Sequence, residues 1–367
     1  MPGLSEEQRL LEAARGGDEA SFERLIDRYR GELQAHCYRM LGSVHDAEDA
    51  LQDALLRVWR GLAGFEDRGG GALRAWLYRI ATNASLDLIS RRRRRGLPAD
   101  LAPRAAADEL PGRPLTEQVW VEPWGEAPAV ADEAPGPGER AERQESLELA
   151  FVAAMQQLPA RQRAVLILRE VLGFSAAEVG ETLDTSVPSV NSALQRARAA
   201  VDERVGERSQ LATLRELGDR RMREIVDAYM EAMEAGDVPR VVSMLTEDMA
   251  WSMPPLASWY AGRETIEAFL RSGPLSGRWR WRHRPARANG QLAVGTYTWL
   301  EDAGAFLPFS LDVLTLEGEK IKAVDAFIVR TLDVPDDGYA RWPDFAPDPE
   351  QVRLVFTRCG LPDRLGP

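Results

Sequence analysis

The chain has 367 residues, 44% hydrophobic and 28% charged, with a net charge of −12, which suits a globular protein of two or three domains and excludes a disordered one. Cys37 and Cys359 lie far apart without CxxC spacing and His36, His45 and His283 are scattered, so no metal, cofactor or disulfide framework is readable. The start MPGLSEEQRL lacks a signal-peptide core and no run approaches the ~18 apolar residues of a membrane span; a cytoplasmic protein that does not engage a membrane is expected.

The acidity is unevenly placed. Residues 1–95 carry 16 arginines against 15 acids, and 146–208 carry 7 against 8. The gap 96–145 carries 4 against 11, and 209–367 carries 19 basic residues against 24 acids. Near-neutral modules neutralise few phosphates and hold nucleic acid weakly alone. A partner that supplies the main grip on DNA is therefore expected.

Residues 5–95 are expected to be helical throughout. In DAEDALQDALLRVWR (46–60), Ala47, Ala50, Leu51, Ala54, Leu55, Val58 and Trp59 form one apolar face, continued by Leu62. Asp46, Asp49, Gln52, Asp53 and Arg57 lie opposite. Such an acidic face repels DNA; it is either solvated or the docking face for a basic partner helix. A loop, FEDRGGG (65–71), then leads into RAWLYRIATNASLDLISRRRRR (74–95), with Leu73, Trp76, Leu77, Ile80, Ala81, Ala84 and Leu88 inward. That helix is expected to end in the run Arg91–Arg95. The loop with Arg68 and Gly69, the side groups Arg79 and Asn83, and the basic end with Arg91 and Arg92 suit a reader of unpaired bases. An arginine run is equally often a solvated face. Trp76 reads as core, and Tyr78 as exposed, its part in base stacking open.

Residues 96–140 are rich in proline, glycine and acids without periodicity and read as a linker. Its island VWVEPW (119–124) is the exception, because Trp120 and Trp124 should dock on this chain or on a partner. Helices resume over 141–158, and 160–205 reads as three short helices. Within SAAEVGETLDTSVPSVNSALQRARAAV (175–201), Ser175 caps a helix Ala176–Leu183, Asp184 to Ser186 turns, and Ser186 caps a second helix that tolerates Pro188 in its first turn. Val190, Leu194, Ala197 and Val201 face inward. Ser186, Ser189, Asn191, Ser192, Gln195, Arg196 and Arg198 face away with Pro188, a set suited to base edges and phosphates in a major groove. The alternative is a helical hairpin with a solvated face.

A third unit begins near 209, with a helix at 219–235 and strands at 278–287, 291–300, 306–316 and 320–330. Asn289-Gly290, Glu301 to Gly304, and Glu317-Gly318-Glu319 supply the turns. This is an α+β domain with a curved antiparallel meander. Trp279, Trp281 and His283 alternate with Arg278, Arg280, Arg282 and Arg284, so aromatics and arginines take opposite strand faces. Trp251, Trp259, Tyr260, Trp281 and Trp299 are candidates to line a pocket into which Asp312 and Asp325 project; the alternative is an ordinary aromatic core. No nucleophile–base pair, phosphate loop or metal set is visible, and no enzymatic activity is expected.

The helical segments resemble bacterial sigma factors of the extracytoplasmic-function (ECF) group. DAEDALQDALLRVW is similar to their region 2.2, RAWLYRIATNASLDLISRRRRR to regions 2.3–2.4, and LPARQRAVLILREVLGFSAAEVGETLDTSVPSVNSALQRARAAV to region 4. The remainder, with AYMEAMEAGDVPRVVSMLTEDMAWSMPP and WYAGRETIEAFL, resembles SnoaL-like domains of the cone-shaped nuclear-transport-factor-2-like fold. The resemblance implies a multidomain protein: all-α region 2 over 1–95, a linker over 96–140, all-α region 4 over 141–208, the SnoaL-like domain over 209–335 and a tail over 336–367. It implies that Asp49, Gln52 and Asp53 dock on the β′ clamp helices of core RNA polymerase, and that region 4 meets the β flap. Arg68, Gly69, Arg79, Asn83, Arg91 and Arg92 would hold the melted −10 element. Ser186, Ser189, Asn191, Ser192, Gln195, Arg196 and Arg198 would read the −35 element as duplex. The acidic linker would thread the polymerase cleft, and the C-terminal domain would regulate the factor, with room for a small-molecule ligand. The rival expectations are a one-component helix-turn-helix regulator with a ligand-sensing domain, and a SnoaL-like cyclase or isomerase fused to helices.

Overall fold

The computed structural model describes residues 5–67, 69, 71–106, 109, 111, 114–115, 120–125, 146–205, 209–332 and 338–367. They divide into two compact units, one built from 5–94, 146 and 154–205, the other from 95–125, 147–153, 209–332 and 338–367.

The first unit opens with α1 (Glu6–Arg15), α2 (Glu19–Leu41), α3 (Val44–Gly61) and α4 (Ala72–Ile89). Local chemistry sets their ends. Ser5 and Gln8 form a capping box on α1, and Asp18 caps α2 through the Ser21 amide. Gly42, at φ 66, closes α2 in the left-handed conformation, and Ser43 caps α3. The four helices bury Leu25, Leu33, Ala47, Leu51, Leu77 and Ala81 among them. His36 and Cys37 are ordinary packing: the imidazole bonds Thr82 Oγ1 at 2.9 Å, and burial drives its pKa down to about 3 and the Cys37 thiol up to about 12.

Three expectations change here. Asp46 does not share the exposed acidic face; held in the first turn under the Ser43 cap, it is 1% exposed and ion-paired to Arg92 at 3.4 Å. Tyr78 is buried rather than exposed, its hydroxyl donating to Glu32 at 2.9 Å, so it offers no face to a base. The helix ends at Ile89, and Arg91–Arg95 follow it as irregular chain, with Arg95 buried against the Trp120 carbonyl at 2.9 Å.

Two short helices, α5 (Pro98–Leu101) and α6 (Leu149–Gln156), precede α7 (Ala160–Leu166), which runs into a wide turn over Ile167–Val171. The pair α8 (Ala176–Thr182) and α9 (Val187–Asp202) follows. Buried Arg163 saturates the start of this half. Its guanidinium donates to the Gln156 side chain at 2.5 Å, to the Gln156 and Leu158 carbonyls, and to the carbonyl of Met40 at the end of α2. Gln156 also donates to the Arg39 carbonyl at 3.1 Å, and the Phe174 ring meets Tyr78 edge-on at 5.5 Å. The two helical modules of this unit are therefore packed against each other.

In the second unit α10 (Gln210–Ala235) is interrupted at Gly218, whose φ of 71 and ψ of 164 leave the helical region; the regular helix starts where the sequence placed it. After α11 (Val238–Ser243) come β1 (Leu245–Ser252), β2 (Trp259–Ala261), α12 (Arg263–Ser272), β3 (Trp281–Ala288), β4 (Gln291–Leu300), β5 (Ala305–Glu317) and β6 (Lys320–Ile328). The sheet order is β2-β1-β6-β5-β4-β3, antiparallel except for the β1–β6 pair. It is thus a six-stranded mixed sheet around the expected four-strand meander. β1 escapes a periodicity search because its burial does not alternate. The expected strand 278–287 begins only at Trp281, and from there the alternation holds: Trp281 and His283 are buried while Arg282 and Arg284 are exposed.

The stretch 96–125 does more than connect. Trp120 and Trp124 are buried in the second unit. The Trp124 amide donates to Asn289 Oδ1 at 2.8 Å, and the Trp124 carbonyl accepts from the Asn289 amide at 2.8 Å. Gly125 lies so close to the Arg358 carbonyl that an added Cβ would stand 2.4 Å from the oxygen, which admits glycine alone. Asn289 Nδ2 also donates to the Leu147 carbonyl at 2.7 Å, and Gln291 Oε1 accepts from the Leu149 amide at 2.9 Å. Replacing Asn289 by Ala removes two buried side-chain bonds and the residue type suited to φ 55 and should cost about 2–4 kcal/mol. Urea unfolding of the second unit checks this; Asn289→Asp, which keeps only the bond from Trp124, should fall between.

Candidate functional site

The strongest surface lies on α9. Val190, Leu194, Ala197 and Val201 anchor it at helical spacing, all buried. Ser186, Ser189, Asn191, Ser192, Gln195, Arg196 and Arg198 are all exposed, as the sequence predicts. Ser186 caps the helix through the Ser189 amide, and Pro188 occupies the first turn where its missing N–H costs nothing. The turn before it is held tight: Asp184 takes φ 50, and the Thr185 amide donates to the Gly180 carbonyl at 2.9 Å. A Cβ on Gly180 would meet the Thr185 carbonyl oxygen at 2.9 Å, so the close return of the turn onto α8 selects glycine. Arg196 reaches back to Ser192 at 2.6 Å, and Arg198 is ion-paired to Glu170 at 2.7 Å. Asn191, Ser192, Gln195 and Arg196 thus form a polar row suited to base edges, with Arg198 more nearly a phosphate group's partner.

A second surface lies on α3. Asp49, Gln52 and Asp53 are exposed together, and Arg57 is tied into a network with Asp53 at 2.6 Å and Asp87 at 2.8 Å. Leu56, which sequence reasoning missed, completes the same stripe at positions 49, 52, 53 and 56 and is 55% exposed. Its signal was the spacing itself: Leu56 falls off the inward stripe. An apolar side chain set in an acidic row suits a protein partner better than water.

The third set is less compact. Arg68 lies outside the described residues. Gly69 turns at φ 71 on the exposed loop, its amide bonded to Asp67 Oδ1 at 2.9 Å. Arg79 is exposed and Asn83 half-buried on α4, four residues apart on one face. Arg91 and Arg92 are exposed past the end of that helix.

The second unit holds a partly open cavity of about 800 Å³ between the concave face of the sheet, α12 and the turn 342–343. Of the predicted lining residues, Trp251, Tyr260, Trp281 and Asp312 are brought together there. Trp259, Trp299 and Asp325 are not. Trp259 donates its indole N–H to the Ala102 carbonyl at 2.9 Å, and Trp299 packs on Phe306 with Arg280 over its ring at 4.9 Å. Asp325 is buried beside β1, accepting from Ser252 Oγ at 2.5 Å. Asp312 forms part of the cavity floor; Ser310, Tyr229 and Thr296 hydroxyls donate to its carboxyl at 2.7, 3.1 and 3.2 Å. Burial raises its pKa against the opposing pull of these bonds. Among the described residues no group of three or more His, Cys, Asp and Glu side chains is placed to hold a metal ion, and no helix is long and apolar enough to cross a membrane.

Residues 25–95 match the family model for Sigma-70 region 2, residues 148–201 that for Sigma-70 region 4, and residues 226–324 that for the SnoaL-like domain. The chain is 41% identical over 323 residues to the ECF RNA polymerase sigma factor SigG of Mycobacterium tuberculosis, an alignment that covers 85% of this chain and 82% of that one. It is 28% identical over 196 residues to the ECF RNA polymerase sigma factor SigW of Bacillus subtilis, covering 53% of this chain and 94% of that one. Among solved structures, the extracytoplasmic function sigma factor SigJ of Mycobacterium tuberculosis shares the fold over 90% of this chain and 98% of its own, with a TM-score of 0.55 and 22% identity.

Asp325 has a measurable consequence of its own. Burial pushes its pKa from 3.8 up to about 6, helped by the nearby charge of Asp100. The stabilisation from the neutral form is therefore complete below pH about 4 and is lost as the pH rises through about 6. Asp325→Asn stays neutral throughout and should stabilise the second unit by about 1–3 kcal/mol at pH 8. Melting curves at pH 4 and pH 8 check it: the advantage of the variant should vanish at the lower pH.

Proposed function

The chain belongs to the ECF RNA polymerase sigma factors, which bind core RNA polymerase and direct promoter-specific initiation of transcription, and we propose that its exposed faces divide that work. Asp49, Gln52, Asp53 and Leu56 dock on the β′ clamp helices of the polymerase, the carboxylates meeting basic groups and the leucine an apolar pocket. The second helical module meets the β flap. Its helix α9 enters the major groove of the −35 element, reading bases with Asn191, Ser192, Gln195 and Arg196 and positioning on phosphates with Ser186, Ser189 and Arg198. Arg68, Gly69, Arg79, Asn83, Arg91 and Arg92 hold the −10 element as single strand. Extruding a base costs a few kcal/mol, which contacts spread over the polymerase offset.

The observation that carries this reading is the α9 surface: seven polar residues named from sequence all stand exposed on one helix whose other face is buried. The near-neutral charge of both helical modules supports dependence on the polymerase, since neither can hold duplex alone. The SnoaL-like unit regulates the factor by holding the chain on both sides of the acidic tether, and its cavity takes a small-molecule ligand.

Reconstituted transcription with core polymerase tests the division. The pair Asp53→Arg and Leu56→Asp should weaken binding to core polymerase at least tenfold without altering helix content. Asn191→Ala with Gln195→Ala should leave that affinity unchanged while abolishing initiation from a cognate promoter. Open complexes formed equally well by all variants would contradict the assignment.

A further inference from the structure

The cavity of the SnoaL-like unit is walled by aromatic rings, among them those of Trp251, Tyr260, Phe269, Trp281, Phe309 and Trp342, with Trp279 beside them. Their polar handles are largely spent elsewhere. The Trp281 indole donates to the Pro274 carbonyl at 2.8 Å, the Trp342 indole to the Thr331 carbonyl at 2.8 Å, and the Tyr260 hydroxyl to the Glu109 carbonyl at 2.7 Å. Those walls therefore present ring faces, which carry negative quadrupole charge. The hydroxyls of Thr296 and Ser310, which also line the cavity, are turned onto Asp312. Those hydroxyls leave the Asp312 carboxyl as the acidic group among the described lining residues that faces a ligand's polar end from the sheet.

The charges at the wall are unbalanced. Asp312 forms the floor and Glu109 the rim; the one lining cation among the described residues, Arg278, is ion-paired to Asp344 at 3.4 Å. Arg330 stands behind Phe309, its guanidinium 5.4 Å from the ring centre, and is not part of the lining. His283 is buried beside Glu234, at 3.5 Å, and is likewise outside the lining. Burial raises the pKa of the Asp312 carboxyl by penalising its charged form; a cation brought beside it would offset that penalty and favour the ionised form.

Glu109 and Pro111 belong to the tether between the two helical modules. That segment is laced to the same unit: the Ala105 amide donates to the Trp259 carbonyl at 2.9 Å, and the Leu115 amide to the Pro255 carbonyl at 2.9 Å. An occupant of the cavity therefore touches the tether itself.

We propose that this cavity binds an organic cation, a protonated amine carried on an apolar ring system, with the ammonium toward Asp312, the rings between the aromatic walls, and tether residues Glu109 and Pro111 as one wall of the site. The volume of about 800 Å³ accommodates a ligand of two to four fused rings. Aromatic walls and a carboxylate recognise a cation together, the rings by cation–π attraction and the carboxylate by charge. The proposal rests on the reading of the cavity as a ligand site and adds to it the class of ligand and the coupling to the tether.

The test uses the full chain and three probes of one shape: 2-naphthylmethylamine, 2-naphthalenemethanol and 2-naphthylacetate. Quenching of tryptophan fluorescence, checked by calorimetry, reads their affinities. The amine should bind at least tenfold more tightly than the alcohol, and the acetate most weakly. Asp312→Asn should abolish the preference of amine over alcohol; Glu109→Gln, an exposed change on the tether that leaves the core intact, should reduce it severalfold. Bound amine should also slow trypsin cleavage at exposed Arg104 severalfold. Equal or tighter binding of the alcohol or acetate overturns the ligand class while leaving a ligand site, a preference for acetate pointing to Arg330 instead. Binding of the amine without any change at Arg104 overturns the tether as a wall. Binding of none of the three by the folded chain overturns the ligand site itself.

Discussion

Asn289 is buried at the turn of the β3–β4 hairpin, in a left-handed conformation that asparagine tolerates, with both ends of its amide engaged. Its oxygen and its backbone N–H pair with Trp124, and its nitrogen donates to Leu147. One side chain thus holds the chain as it leaves the first helical module and again as it approaches the second. Gln291 and Glu148 extend the seam, accepting from the Leu149 and Leu211 amides. Each bond is worth only about 1 kcal/mol net, yet leaving any of these buried groups unpaired costs more. That asymmetry makes the seam all-or-none in character.

For a sigma factor the seam has a mechanical meaning. On the proposed reading the two helical modules reach promoter elements that lie apart on the DNA, so the chain that joins them limits what they can span. Residues 95–125 and 147–153 are counted with the SnoaL-like unit rather than with the helices. Packing within the helical unit, through Arg163, Gln156 and the Phe174–Tyr78 contact, restrains the same two modules. Holding and releasing the tether is then a means by which, on the proposed reading, the SnoaL-like unit biases the arrangement of the modules.

Much of this was legible in the sequence, for identifiable reasons. The α9 face was readable because burial there follows a strict helical period, so polar residues off the apolar stripe had to be exposed. The Asn289-Gly290 turn was readable from turn chemistry alone, although its grip on Trp124 was not, since 165 positions separate the partners. Tyr78 and Asp46 were misplaced for one shared reason. Each is a polar-tipped side chain buried by a specific partner, Glu32 and Arg92, and pattern reasoning sees polarity but not partners. Trp299 and Asp325 failed as cavity residues because strand register is not legible from one strand at a time: Trp281 pairs with Thr298 and Asp312 with Ala326, which turns Trp299 and Asp325 to the opposite face. Leu56 escaped notice because an apolar residue off the buried stripe carries no periodic signal of its own, and only its exposure marks it.

The central claim is that the SnoaL-like unit holds the chain on both sides of the acidic tether as one seam. Amide hydrogen exchange on the full-length protein tests it most directly. The amides of Trp124 and Leu149 should exchange as slowly as those within the β4–β5 ladder, and both should become fast together when core polymerase is bound. Fast exchange at either amide in the free protein, or release of one flank without the other, would contradict the account.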